Sequence, residues 1–158
     1  MVEKRSDSGT EAVGEELVIT RIFEVPRALV FECWSDPVHL AHWSGPRGFT
    51  TPHHSMDFRV GGKYRACLRS PEGVDHWVSG VYREVVKPSR LVFTHSWEDE
   101  RGTPGPETLV VITFVEQDGK TKMKFRQGLF QSTASRDGHS AGWSSSFDVL
   151  AEYLATLQ

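Results

Sequence analysis

Among residues able to do chemistry, the seven histidines stand out first. His39-x-x-His42 falls on one side of a short helical pattern, and His53-His54 follows downstream. A metal centre needs three or four convergent ligands with thiolate or carboxylate support. His39 and His42 lack the H-E-x-x-H framing of a zinc helix, and Cys33 sits in an apolar helical pattern, so these histidines read as surface residues. Neither metal nor cofactor is expected. Asp57 and Arg59 lie two apart beside Gly61-Gly62. On one strand face such a pair could serve as an acid and an anion clamp. We favour the plainer reading, in which they fix the adjacent turn or join Arg21 or Glu84 in an ionic network. Gly61-Gly62 is followed by a strand pattern rather than a helix, so it reads as a turn or bulge and not as a phosphate loop. No G-x-S-x-G is present, Ser144-Ser145-Ser146 lies inside a helical stretch, and neither Cys33 nor Cys67 has a catalytic frame. His139, one turn before Trp143, is either a general base at a cavity mouth or a helix-terminal histidine bonded to a loop. No catalytic residue is assigned.

The elements that must position these residues follow from apolar spacing. Residues 1–15 carry Glu3, Lys4, Arg5, Asp7, Glu11 and Glu15 with little to bury, and read as a flexible leader before a single domain at 16–158. Leu17 to Phe23 reads as a strand. Leu29, Val30, Cys33 and Trp34 recur at helical spacing after Pro26, and Asp36-Pro37 caps a second short helix carrying Leu40 and Trp43. From Phe49 the period becomes two, with turn signals that divide a meander of about six strands. Leu91, Phe93, His95 and Trp97 share one face, as do Val110, Ile112 and Phe114, and then Thr121, Met123, Phe125 and Gln127. Asp118-Gly119 marks a hairpin. Trp143, Phe147, Leu150, Leu154 and Leu157 form one helical stripe, which must lie on the inward face of the meander. The fold class is α+β: a curved antiparallel sheet of about seven strands around a long C-terminal helix, with two short helices after strand one.

The 158 residues suit one domain with its own core. Lys plus Arg is 18 against 21 for Asp plus Glu, a net charge of −3 that offers no footprint for nucleic acid. The chain shows neither a signal peptide nor a membrane span. With only two dispersed cysteines, a reduced, cytoplasmic setting is expected, as a monomer or weak homodimer.

The order of motifs resembles the activator of heat-shock protein 90 ATPase homologue family, within the START-like (SRPBCC, Bet v-like) helix-grip superfamily. The residues carrying the resemblance begin with Arg21-x-Phe23-x-x-Pro26, Asp36-Pro37 and Trp43-x-Gly45-Pro46. They continue through Asp57-x-Arg59-x-Gly61-Gly62-x-Tyr64-Arg65, Gly80-x-Tyr82-x-Glu84, Pro88-x-Arg90-Leu91, Thr94 with Trp97, and Gly142-Trp143 with Leu150, Tyr153 and Leu154. The resemblance covers about residues 16 to 157. Ser44 stands where the family often has a second aromatic, so that end of a cavity is expected to differ in shape. The family's eukaryotic co-chaperone also has a separate N-terminal domain, which a short leader would not supply.

The resemblance implies an apolar cavity between sheet and long helix. Trp43, Tyr64, Phe93, His95, Trp97, Phe114, Met123, Phe125, Gln127, His139, Trp143 and Phe147 are the candidate ligand-binding residues, with His95, Gln127 and Tyr64 as polar tips. The competing reading is that these side chains only fill the core. The expected function is non-catalytic binding of a small hydrophobic or aromatic molecule. One alternative is a stress-related, co-chaperone-like regulator of a heat-shock protein 90 type ATPase. The other is a cyclase or hydrolase acting on an aromatic or polyketide ligand.

Overall fold

The computed structural model describes residues 9–13 and 16–158. One eight-stranded antiparallel sheet has the order β1-β2-β8-β7-β6-β5-β4-β3. Its strands are β1 (Gly9–Val13), β2 (Glu16–Phe23), β3 (Thr50–Met56), β4 (Lys63–Arg69), β5 (Asp75–Val86), β6 (Arg90–Trp97), β7 (Thr108–Gln117) and β8 (Lys120–Gly128). Strand β1 pairs with β2 along its whole length, adding an edge strand where a flexible leader was expected. The rest of that leader lies outside the described residues. The strands β3 to β8 are the six-strand meander read from the period-two pattern.

Between β2 and β3 come the helices α1 (Arg27–Ser35) and α2 (Pro37–Trp43). They carry the chain from one flank of the sheet to the opposite edge. Asp36 ends one helix and caps the next, its side chain accepting from Val38 N at 2.8 Å while Pro37 occupies the first turn. The last helix, α3 (Thr133–Thr156), starts at Ser132, whose hydroxyl accepts from Ser135 N. Among the described residues, no helix is long and apolar enough to cross a membrane.

Alternation decides what faces the helix. Met123, Phe125 and Gln127 of β8 are fully buried, as are Val110 and Ile112 of β7. Phe147, Leu150 and Leu154 of α3 pack on this half of the sheet, with Val30 and Phe31 of α1 completing the core. Arg21 holds an inward position in β2 but reaches α3, donating to Asp148 Oδ1 at 2.7 Å and to Ser144 O at 3.1 Å. Asp118 and Gly119 both take positive φ (54° and 79°), the backbone of a two-residue hairpin.

The Asp57 and Arg59 pair settles as a turn. Arg59 Nε donates to Asp57 Oδ2 at 2.8 Å with both side chains largely exposed, and Gly62 N donates to Arg59 O at 2.8 Å. A Cβ on Gly62 would stand 1.9 Å from Asp57 O, so the loop closes only on glycine. Arg21 and Glu84 find other partners, Asp148 and Arg90.

Candidate functional site

The core is not filled evenly along α3. From Trp143 onward the helix carries large apolar side chains, but its first half borders the space above the sheet with Ala134, Ser135, Gly138 and Gly142. Opposite lie β3 to β6, where small and large residues mix: Ala66 and Val78 beside Tyr64, Tyr82 and Phe93. With helix and sheet held apart by the large side chains, the small residues facing each other do not fill the gap, and a cavity of about 460 Å³ remains. That volume lies in the range of about 300 to 1,000 Å³ usual for small-molecule sites.

Seven of the twelve candidate residues border this space: Trp43, Tyr64, Phe93, His95, Trp97, His139 and Trp143. The other five do not. Phe114, Met123, Phe125 and Gln127 on the sheet and Phe147 on α3 itself lie in the packed half of the core, at most 1% exposed. Periodicity gives them the inward side, but large side chains of α1 and α3 fill the space there, Phe31 against Phe114, Phe147 against Phe125 and Trp143 on Gln127. Tyr82 and Trp34 belong to the wall and were missed. Tyr82 shares its face with Phe93, its partner in register, and Trp34 read only as an apolar helix position. A cross-strand row of His54, Ala66, Val78 and Trp97 was also hidden, because register is not written in any single strand.

Aromatic contacts hold the wall. Trp34 meets Trp43 edge-on at 4.6 Å and lies 6.0 Å from Trp143 and 6.2 Å from Phe93. Tyr64 packs against Phe93 at 5.6 Å. Gly80 permits that placement, since a Cβ there would stand 1.9 Å from Thr94 O and 2.6 Å from the Tyr64 ring. The rim is formed by Trp97, 38% exposed, with exposed Ala134 and Gly138 on α3. On the flank the loop after α2 is tied to α3: Arg47 N donates to Ser145 Oγ at 2.8 Å, and its guanidinium pairs with Glu152. A Cβ built on Gly142 would stand 3.8 Å from Pro46 of this loop.

Most polar groups around the cavity are already engaged. Tyr64 donates to Thr94 O at 2.6 Å, and Ser146 Oγ to Trp43 O at 2.7 Å. Gln127 Oε1 accepts from Trp143 Nε1 at 2.8 Å while its Nε2 donates to Thr108 Oγ1 at 2.9 Å. Gln127 and Tyr64 therefore brace the wall instead of presenting polar tips to a ligand. His139 is engaged at both nitrogens: Nδ1 donates to Ser135 O at 2.7 Å, and Nε2 accepts from Trp97 Nε1 at 2.9 Å. That pattern fixes one neutral tautomer and closes the rim. Trp34 Nε1 and His54 Nδ1 are buried without a protein partner, shut off by surrounding atoms.

No Asp, Glu, Lys or Arg borders the cavity among the described residues. Burial, with the neighbouring His139, pushes the His95 imidazole down to about 3, and burial with His53 lowers His54 to about 4. Both are neutral at physiological pH. Burial, with Glu32 adding, pushes the Cys33 thiol up to about 12, so it supplies no thiolate nucleophile. His39 and His42 sit away from the cavity around Tyr153, His39 Nδ1 2.6 Å from its hydroxyl and His42 stacked on its ring at 4.6 Å. Among the described residues no group of three or more His, Cys, Asp or Glu side chains converges to hold a metal.

The fold recurs in solved structures. The AHSA1 protein from Silicibacter pomeroyi is 29% identical, with 90% of this chain and 99% of that one covered and a TM-score of 0.84. A protein from Chromobacterium violaceum is 26% identical, covering 89% and 97%, at a TM-score of 0.80. A Mycobacterium smegmatis protein at 23% identity, covering 93% and 96% with a TM-score of 0.82, shares the fold. No curated protein matches the chain. The family model for Activator of Hsp90 ATPase homolog 1-like protein matches residues 24–155, and on that match over most of its length the chain belongs to this family.

Proposed function

We propose that this protein binds a small, uncharged, largely aromatic molecule in the cavity between α3 and β3 to β6, without chemically altering it. The observation that carries the reading is a space of about 460 Å³ walled by Trp34, Trp43, Phe93 and Trp143 and free of charged side chains among the described residues. Apolar walls with a few polar atoms are the common character of small-molecule sites. The cavity histidines His95 and His139 supply no general base. His139 has both nitrogens occupied, and His95 is too weak a base to hold a proton near neutral pH. Calorimetric titration with a panel of uncharged two- and three-ring aromatics, beside a long-chain fatty acid, tests the proposal. One-site binding within the aromatic set is expected. No saturable binding to any of the aromatics would refute it.

The family description supports a second reading, regulation of a heat-shock protein 90 type ATPase. It draws on family membership alone, since no feature of the cavity bears on it. The chaperone's ATP turnover, measured with and without this protein, separates the two. The cavity reading expects unchanged turnover.

A further inference from the structure

We infer that His95 is the polar anchor of the cavity and that the ligand it selects carries a neutral hydroxyl group, with carboxylates excluded. This rests on the binding reading above and names the chemistry that the site would prefer. His95 is 6% exposed and lies on the cavity wall between the rings of Trp97 (5.3 Å), His139 (5.7 Å) and Trp143 (5.9 Å). Its immediate neighbours cannot satisfy it. Trp97 Nε1 is committed to His139, His139 donates its own proton to Ser135 O, and Trp143 Nε1 is committed to Gln127. No hydrogen bond to the His95 ring is present among the described residues, and its nitrogens are not sealed off as Trp34 Nε1 and His54 Nδ1 are. An imidazole buried in this way without a partner costs free energy that a hydrogen-bonding ligand recovers.

The form of the imidazole sets the form of the ligand. A neutral ring offers one donor and one acceptor. A hydroxyl both donates and accepts, so it is satisfied by either tautomer. A carboxylate only accepts and brings a charge into a space with no cation on its wall. Protonating His95 to meet that charge is opposed by its burial and by His139 beside it. Apart from Trp34, whose Nε1 is sealed off, Tyr82 is the other buried residue on the wall whose side-chain polar tip has no protein partner among the described residues, so it is the natural control.

The test uses naphthalene, 2-naphthol and 2-naphthoate, small enough to reorient in the cavity, titrated calorimetrically at pH 7. The wild-type protein should bind 2-naphthol at least tenfold more tightly than naphthalene, and 2-naphthoate more weakly than either. His95→Phe keeps an aromatic of similar size and should reduce the naphthol preference to within twofold while naphthalene still binds. Tyr82→Phe should leave the preference in place. Naphthalene and naphthol binding equally, the preference persisting in His95→Phe, or its loss in Tyr82→Phe would overturn the assignment while leaving the cavity reading standing. If none of the three compounds binds, the cavity reading falls and the assignment falls with it.

Discussion

At the scale of single residues, Phe147 and Trp143 separate packing from binding. Phe147 is fully buried between Trp34, Phe125 and Trp143, and replacing it with Ala should cost about 3 to 5 kcal/mol in a denaturant melt. Trp143 is half-buried with one face on the cavity, so Trp143→Ala should destabilise less and weaken ligand binding more. The buried histidines make a separate prediction about acid. His95 and His54 titrate well below the ordinary imidazole value of 6.5 in the folded chain, so the unfolded chain binds protons first as pH falls. Stability is therefore full above pH 6.5 and declines below it, down to about pH 4 for the His54 contribution and about pH 3 for that of His95, with a slope of up to about 1.4 kcal/mol per pH unit for each proton taken up. Equilibrium unfolding at stepped pH should show that slope, and His95→Phe should make it shallower. An equal slope in the variant would assign the acid sensitivity elsewhere. The histidine count in the sequence drew attention to His39 and His42, whereas His54 and His95 matter for their burial, which follows from strand parity and register.

At the scale of elements, α3 divides into a packed half and an open half at Trp143. The stripe Trp143, Phe147, Leu150 and Leu154 was legible from spacing, and so was the face of β8 that it covers, but Leu157, read as its last member, lies past the end of α3 and is exposed. The cavity was written in the same helix, in the small residues Ala134, Ser135, Gly138 and Gly142, but that signal points to space only once the sheet opposite is known to carry Ala66 and Val78. Glycine inside a helix costs roughly 1 kcal/mol against alanine, and α3 contains two. Gly138 borders the opening, and an added Cβ there meets nothing within 4 Å, so a side chain starts from open space at the rim. Gly138→Phe should leave the melting temperature unchanged or raised and suppress ligand binding. Asp36 supplies a test of the shorter helices: losing its cap through Asp36→Ala should cost about 1 kcal/mol, since it closes α1 and starts α2.

At the scale of the whole molecule, the sheet order places β2 and β8 under one half of the long helix and β3 to β6 under the other. One fold thus contains a packed core and an open cavity side by side. The split follows from side-chain volume rather than from pattern, and pattern is what periodicity reports; hence the fold class emerged from the sequence while five of the twelve proposed lining residues proved to be core. Ligand binding should stabilise the folded chain by mass action, about 2.7 kcal/mol when free ligand is a hundredfold above Kd, and so raise the melting temperature by several degrees. The most direct test of the account is a calorimetric titration of 2-naphthol into the wild-type protein and into Gly138→Phe, with the melting temperatures of both recorded. The account predicts one saturable site in the wild type, binding at least tenfold weaker in the variant, and a variant no less stable. No saturable binding to the wild type, or equal binding to a folded Gly138→Phe, would contradict it.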